Sequence, residues 1–366
     1  MENESSLKKP EGDRENFEFG FAWHVLPFHI WETILLFLPI SNLLRMKSVC
    51  KAWRSLIESQ PFIAAYRLVS HNDLYFVLFA DFVNRNVAAA YNPTEDKWVL
   101  ISLSHISSSC PSTCCKLRRA LISDGSLVVA EDRKGSIVVS NIFTRAYRVL
   151  PPMLPSIWPY ALAVIEGNSS YQVVSVSTAD RVFSQVYDSR TERWEEKGEF
   201  DGRFAMLGNA AYLDGFLFCL THSPDKLLAF ELERGRWNLV DVVMPPLVCS
   251  YIFVHQGALT LVGGVEELGV LKKIGFWELD RLAKQWHPIC FMPDHLFYKF
   301  GNGNLNHFTT VDRCGKICFC RSMSSLVLMY DLSENRWWWL PPCPLGSCLK
   351  HEWFGQALEP RINVLV

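Results

Sequence analysis

The chain has 366 residues, of which 49% are hydrophobic and 20% are charged, and its formal net charge is −2 at pH 7. This composition is typical of a globular protein, and the length allows two or three domains. The near-neutral charge provides no field that would steer the chain to nucleic acid. No apolar run is long enough to cross a bilayer, so neither nucleic acid nor a membrane is an expected partner.

Residues 1–20 are polar and of mixed charge, and we predict a disordered tail there. They lack the pattern of a signal peptide. The expected location is therefore the cytoplasm, the nucleus or both, where the 12 cysteines would stay reduced rather than form disulfides.

Residues 26–57 have the apolar spacing of short helices. Apolar residues recur every four positions along one slowly drifting helix face: Leu26, Ile30, Ile34 and Leu38. Pro39 is expected to end this helix. Ser41 is predicted to cap the next helix by accepting a backbone N–H bond.

A second apolar stripe predicts a third helix, with members Val49, Cys50, Trp53, Leu56 and Ile57. A unit of roughly 40 residues hides too little of its surface to be stable alone. Two stripes therefore suggest one for the unit's own core and one for a partner. Periodicity leaves open a helical hairpin that docks on the rest of the same chain.

In order and spacing, this stretch resembles the F-box motif from end to end. The matching clusters are Leu26-Pro27, Ile34-Leu35, Leu38-Pro39, Leu43-Leu44-Arg45, Val49-Cys50-Lys51, Trp53-Arg54 and Pro61-Phe62. The resemblance implies an F-box helical domain over residues 21–67. It also implies a surface for a Skp-type adaptor, which links to a cullin and so to a RING ubiquitin ligase. The adaptor-binding residues that it implies are Leu26, Pro27, Ile30, Ile34, Leu35, Leu38, Pro39, Leu43, Leu44, Val49, Cys50, Trp53 and Arg54.

After Phe62 the pattern becomes strand-like, and one phrase repeats. In each copy an acidic or amide residue is followed six positions later by an aromatic residue. The acidic or amide residues are Asn92, Asn141, Asp188, Glu231, Asp280 and Asp331. These aromatics are Trp98, Tyr147, Trp194, Trp237, Trp286 and Trp337. We predict that they anchor the packing between repeats; the alternative is that they stack on a ligand.

Residue pairs suited to tight hairpin turns run in phase with this phrase: Asp124-Gly125, Glu166-Gly167, Asp214-Gly215, Gln256-Gly257 and Cys314-Gly315. Each repeat then reads as four short antiparallel strands, which is the blade of a β-propeller. Six phrases predict an all-β propeller of six four-stranded blades over residues 68–366. The first phrase has too few residues before it for a full blade, so strands near 353–366 are expected to complete that blade and close the ring.

The Tyr-Asp…Trp phrase and the Gly263-Gly264 doublet resemble degenerate kelch repeats. A small α-helical F-box followed by such repeats is the layout of the plant F-box/kelch-repeat proteins, which this multi-domain chain resembles after residue 20. The resemblance implies a substrate-recognition subunit of an SCF-type (Skp–cullin–F-box) ubiquitin ligase, with an unidentified target protein on the propeller. The alternative is a scaffold or transcriptional co-regulator without ligase activity.

Neither chemistry nor metal binding is indicated by a local motif. The sequence contains no nucleophile elbow, Gly-rich phosphate loop or H-E-x-x-H zinc motif. The cysteine clusters lack the paired spacing of a structural zinc site, and Cys318 and Cys320 are expected to be small core residues. We therefore expect no catalytic residue, cofactor or metal. An enzyme site assembled across blades is a remote alternative.

Overall fold

The computed structural model describes residues 27–69, 74–79, 87–107, 117–132, 136–153, 161–167, 170–178, 181–301, 307–321, 324–345, 354–361 and 366. Leu26 and the predicted tail at 1–20 lie outside this part of the chain. No helix within it is long and apolar enough to span a membrane.

Four helices form the N-terminal unit: α1 (Phe28–Leu36), α2 (Ile40–Met46), α3 (Lys51–Ile57) and α4 (Gln60–Leu68). The cap prediction for Ser41 is wrong, because Pro39 is the N-cap of α2 and Ser41 lies inside the first turn. The thiol of Cys50 caps α3, accepting the N–H of Trp53 at 3.4 Å. Pro61 lies in the first turn of α4, a fourth helix that the sequence analysis did not predict and that Ser59 caps.

The helices enclose a small core of their own, made of Leu35, Leu43, Ile57, Phe62 and Tyr66. The Tyr66 hydroxyl donates to the carbonyl of Leu38 at 3.0 Å, which ties α4 to the end of α1. The N-terminal unit therefore has an interior distinct from that of the strands.

The strands form six four-stranded antiparallel sheets, as predicted. Blade 1 contains β1 (Tyr75–Phe79), β2 (Val87–Asn92) and β3 (Lys97–Ser102), and the short helix α5 (Ser104–Ser107) follows it. Blade 2 contains β4 (Leu117–Asp124), β5 (Leu127–Asp132), β6 (Ile137–Asn141) and β7 (Ala146–Val149). Blade 3 contains β8 (Ala161–Glu166), β9 (Tyr171–Thr178), β10 (Val182–Asp188) and β11 (Arg193–Phe200).

Blade 4 contains β12 (Met206–Leu213), β13 (Phe216–His222), β14 (Lys226–Glu231) and β15 (Arg236–Val240). Blade 5 contains β16 (Val248–His255), β17 (Ala258–Glu267), β18 (Val270–Asp280) and β19 (Gln285–Phe291), followed by α6 (Asp294–Gly301). Blade 6 contains β20 (Thr309–Arg313), β21 (Lys316–Cys320), β22 (Leu328–Asp331) and β23 (Arg336–Trp339).

The last strand, β24 (Phe354–Leu358), pairs with β1 and completes blade 1. The predicted closure by the C-terminal strand is therefore confirmed. The innermost strands β24, β4, β8, β12, β16 and β20 contact one another in sequence around a closed ring. Closure of this kind leaves each blade face covered by the next blade.

The repeated phrase has a local physical cause. In each blade its aromatic lies on the fourth strand, directly opposite the residue before the acidic or amide position, as Trp98 lies opposite Tyr91. In blade 1 the Asn92 side chain accepts the backbone N–H groups of Thr94 and Glu95. The residue four positions after each acidic or amide residue has a left-handed backbone: Asp96, Arg145, Glu192, Gly235, Lys284 and Asn335. The phrase thus encodes the turn between the third and fourth strands.

Candidate functional site

An exposed apolar face on α1 is the first candidate site. Ile30 and Ile34, one helical turn apart, are 37% and 41% exposed, and Phe28 and Phe37 at the two ends of the helix are 64% and 68% exposed. The opposite side of α1 buries Leu35 in the helical core. Contact between apolar side chains and water is unfavourable, so an exposed apolar face of this kind marks a binding surface for another molecule.

The predicted adaptor-binding residues divide by exposure. Those that face solvent are Pro27, Ile30, Ile34, Val49, Cys50 and Arg54. Those that are half-buried are Leu38, Pro39, Leu44 and Trp53. Leu35 and Leu43 are 1% and 0% exposed, which corrects their place in the predicted surface: they fill the core and act on any interface only by shaping the helices. Leu26 lies outside the described residues.

Phe28 and Phe37 are surface residues that the sequence analysis missed. Phe37 follows Ile30 by seven positions, so helical periodicity places it on the same face, although a strict four-residue spacing passes over it. Phe28 precedes buried Leu35 by seven positions, on the side of the helical core. The available signal was that the α1 sequence, FHIWETILL, is apolar on more than one side, although the small core of this unit can cover only one of them.

Exposed basic side chains lie on the neighbouring helices α2 and α3. Arg45, Lys51 and Arg54 are exposed, and the Arg54 guanidinium donates to the carbonyl of Lys47 at 3.2 Å. Lys47 itself pairs with Glu58 at 3.3 Å. Charges at the rim of an interface mainly affect association rate and partner choice.

The six repeat aromatics all pack toward the preceding blade around the ring. Trp98, Tyr147, Trp194, Trp237, Trp286 and Trp337 lie in or against the apolar clusters between their own blade and that neighbour. Three indole N–H groups also donate across the interface, as Trp98 does to the Pro341 carbonyl at 2.7 Å. Trp194 donates to the Pro151 carbonyl at 2.9 Å and Trp237 to the Ser184 hydroxyl at 3.1 Å. Contacts of this kind leave little ring surface for stacking on a ligand.

A second candidate site is the channel at the centre of the ring, with a volume of about 720 Å³. It is lined by residues of all six innermost strands, among them Asp124, Asn209, Tyr251, Asp312 and Gln356. Because neighbouring strands are antiparallel, the turns between first and second strands lie together at one end of this channel.

An ion-pair network lies at that end. The Arg313 guanidinium contacts Glu359 at 2.7 Å and Asp124 at 2.8 Å, and Arg361 contacts Glu359 at 3.0 Å. Burial opposes the charge on Arg313, but its hydrogen bond to Glu359 and the attraction of Asp124 raise its pKa. Burial would raise the pKa of Glu359, but Arg313 and Arg361 outweigh it, so that pKa is lowered.

Asp312 behaves differently from its neighbours. Burial raises the pKa of its carboxyl to about 7, although the attraction of Arg313 opposes this shift. No ion pair in the described part of the chain includes Asp312, so its charge has no direct partner there.

The cysteines offer little chemistry in the described residues. Cys318 and Cys320 are buried in the interface between blades 6 and 1, with their sulfur atoms 3.7 Å apart. The hydrogen bond to Cys320, together with burial, raises the pKa of the Cys318 thiol, which makes it a poor nucleophile. Within the described ranges no three His, Cys, Asp or Glu side chains are placed to hold a metal ion.

Comparison with known proteins agrees with both parts of the fold. Residues 23–64 match the model of the F-box domain. The chain therefore carries an F-box domain, and its second part is a six-bladed propeller of four-stranded blades.

Three similar proteins, each aligned over most of its length, come from plants. The chain is 24% identical over 344 residues to an F-box/kelch-repeat protein of Arabidopsis thaliana, and the alignment covers 88% of this chain and 83% of the relative. It is 25% identical over 369 residues to the A. thaliana protein UNUSUAL FLORAL ORGANS, covering 90% and 80% of the two chains. It is 24% identical over 392 residues to ABERRANT PANICLE ORGANIZATION 1 of Oryza sativa subsp. japonica, covering 93% and 89%.

Proposed function

We propose that this chain is the substrate-recognition subunit of an SCF-type ubiquitin ligase. In this role the F-box binds a Skp-type adaptor, which joins it to a cullin–RING ligase, and the propeller binds a target protein. The observation that carries the proposal is the exposed face of Ile30 and Ile34 on a matched F-box whose own core is already filled.

The energetics of this face favour association. Fully burying an isoleucine side chain contributes roughly 1.5–3 kcal/mol, and both isoleucines still expose more than a third of their surface. Phe28 and Phe37 add exposed aromatic area on the same helix, and aromatic residues are common binding hot spots. The core residues lie on the other side, so the face can be altered without removing the interior.

The propeller supplies a rigid platform for a target. Its six interfaces are filled by buried aromatic and aliphatic side chains, and its turns present side chains at the ends of the ring. We infer that the chain contributes proximity and not catalysis. Holding a target lysine beside the charged ubiquitin raises its effective concentration. We propose that it does so in the cytoplasm, the nucleus or both.

The first test measures adaptor binding by the full chain. Ile30→Ser with Ile34→Ser should weaken binding to a purified Skp-type adaptor by about tenfold or more, since the exposed apolar area of both side chains would be buried on binding. Leu282→Ser is the matched control, because Leu282 is exposed on the propeller. Unchanged affinity in the double variant, with the propeller still folded, would place the adaptor surface elsewhere.

The second test separates a ligase subunit from a scaffold. The chain is assembled with adaptor, cullin and RING protein, and ubiquitin transfer is measured to proteins that co-purify through the propeller. A ligase subunit should transfer ubiquitin to at least one of them, and transfer should fail with the double variant. Adaptor binding without any transfer would favour the scaffold or co-regulator.

A further inference from the structure

The central channel of the propeller contains a carboxylate, that of Asp312, which forms no ion pair with the described residues. The channel volume of about 720 Å³ falls in the range of ligand pockets, roughly 300–1,000 Å³. Asp312, on the innermost strand of blade 6, lines it. The channel is thus large enough for a ligand and presents a negative charge to it.

The charged side chains near Asp312 already form ion pairs with one another. Arg313 reaches both Asp124 and Glu359, and Arg361 reaches Glu359. Among the residues that the structure describes, these ion pairs set two guanidinium groups against two carboxylates. Successive side chains of a strand point to opposite faces, so the Arg313 fork that closes on Glu359 points away from Asp312.

Within the described ranges, no ion pair or side-chain hydrogen bond to another residue ties Asp312 into the fold. In the ladder it pairs with Ile317 through the backbone, which any residue could do. Burial makes its ionised form costly, as the raised pKa of this carboxyl, about 7, shows. A charged residue that destabilises its own site is characteristic of a binding or catalytic position.

The remaining lining suits a group that donates hydrogen bonds. Thr310 lies two residues before Asp312, on the same face of β20, and also lines the channel. The side-chain amide of Asn209 is not free, because it exchanges two hydrogen bonds with the backbone of Ile252 at 2.7 and 2.9 Å. A carboxylate and a neighbouring hydroxyl can together accept several hydrogen bonds from one cationic nitrogen.

We propose that Asp312 makes the propeller channel a binding site for a primary ammonium or guanidinium group. Two sources carry such a group: a free aliphatic amine, or the Lys or Arg side chain of a bound protein segment. The proposal concerns the propeller alone and does not depend on adaptor binding. If the source is a protein segment, the site would also be where the target of the proposed function enters the ring.

The test uses the full-length chain and isothermal titration at pH 8. Spermidine and agmatine represent free amines. A five-residue peptide with a central lysine, blocked at both ends, represents a protein segment, and its acetyl-lysine counterpart is the uncharged control. Asp312→Asn removes the charge, and Asp201→Asn is the matched variant, because Asp201 is exposed and outside the channel lining.

We expect at least one cationic probe to bind the wild type and Asp201→Asn equally. We expect Asp312→Asn to weaken that binding at least tenfold, and the acetylated peptide not to bind. Binding of the free amines alone identifies a small-molecule site, and binding of the peptide alone identifies a protein segment. Absence of binding by all probes at millimolar concentration, or equal binding by Asp312→Asn, would overturn the proposal.

A second measurement does not depend on the variant. Carbon-detected NMR of labelled wild-type protein follows the titration of the Asp312 carboxyl with and without the probe that binds. A cation held against this carboxylate must lower its measured pKa. An unchanged titration curve would rule out contact between the probe and Asp312.

Discussion

The guanidinium of Arg313 in β20 lies 2.7 Å from the carboxylate of Glu359, the residue that follows β24. The same guanidinium reaches Asp124 at the end of β4. One side chain of blade 6 therefore contacts the strand that completes blade 1 and the first strand of blade 2. The Glu359 N–H also donates to the Gly125 carbonyl at 2.8 Å. The seam of the ring is thus held by charge as well as by strand pairing.

Arg313→Gln should destabilise the propeller by about 2 kcal/mol. The variant leaves Asp124 and Glu359 without the cation that they share, and each side chain is less than one-third exposed. The expected cost therefore lies between that of breaking a surface ion pair and that of breaking a buried one. Chemical denaturation measures the change. Arg281→Gln is the control: it breaks the more exposed pair with Asp214 and should cost less than about 0.5 kcal/mol.

Truncation after residue 345 should open the ring. It removes β24, so that β1 loses its ladder partner and the neighbouring inner strands β4 and β20 lose the strand between them. Limited proteolysis and thermal unfolding measure the loss. A truncated chain that melts like the full chain would show that closure by β24 is not needed for stability.

Trp237→Ala should cost about 3–5 kcal/mol, the usual effect of removing a large buried side chain. Trp237 lies in the core between blades 3 and 4, and its ring centroid is 4.9 Å from that of Phe230. Trp237→Phe keeps most of the volume but loses the bond to Ser184, so it should cost about 1–2 kcal/mol. Tyr298→Ala, at an exposed position of α6, should leave the melting temperature nearly unchanged.

Gly198→Ala and Gly215→Ala should differ sharply, although both glycines have positive φ, +80° and +84°. An added Cβ at Gly215 meets nothing within 4 Å, whereas at Gly198 it would lie 2.6 Å from the Gly235 carbonyl oxygen in the next blade. Gly215→Ala should therefore cost only the backbone term of about 1–2 kcal/mol. Gly198→Ala should add about 1–3 kcal/mol for the steric clash. Equal effects in urea unfolding would mean that the blades can shift apart there.

Asp312→Asn should change how stability depends on pH. The folded-state pKa of Asp312, about 7, lies above its ordinary value of 3.8, so the folded state binds the proton more tightly than the unfolded state does. Stability from this group is complete below about pH 4 and is lost as the pH rises toward 7. The variant should remove this decline.

The pH dependence of the variant must be compared with that of the wild type, because other titratable groups change stability with pH in the opposite direction. Burial lowers the pKa of His105, and that contribution is lost as the pH falls below about 6.5. The difference in unfolding free energy between the two proteins, measured from pH 4 to 8, isolates Asp312. A constant difference would contradict the raised pKa.

The turn chemistry explains why the repeats could be predicted. The side chains of four of the repeated acidic or amide residues accept backbone N–H groups two and three residues ahead, so the signal lies within a few residues of sequence; they are Asn92, Asn141, Asp280 and Asp331. Asp214-Gly215 has the positive φ values that a tight hairpin requires, as its residue types indicated. The two errors, the missed helix α4 and the wrong cap at Ser41, concern where helices begin. Pro39 is the N-cap of α2 and Ser59 is the N-cap of α4, and in both places nearby polar residues were alternative caps.

The sequence alone determined the order of domains, the number of blades and the aromatic positions, because period and turn residues act over short distances along the chain. Only the tertiary structure decided which apolar residues of the F-box reach solvent, separating Ile34 from Leu35. It also joined Arg313 to Asp124, 189 residues away, and left Asp312 without an ion pair to any residue that the structure describes. Burial and ion pairing depend on which distant segments meet when the ring closes, and no local pattern contains that information.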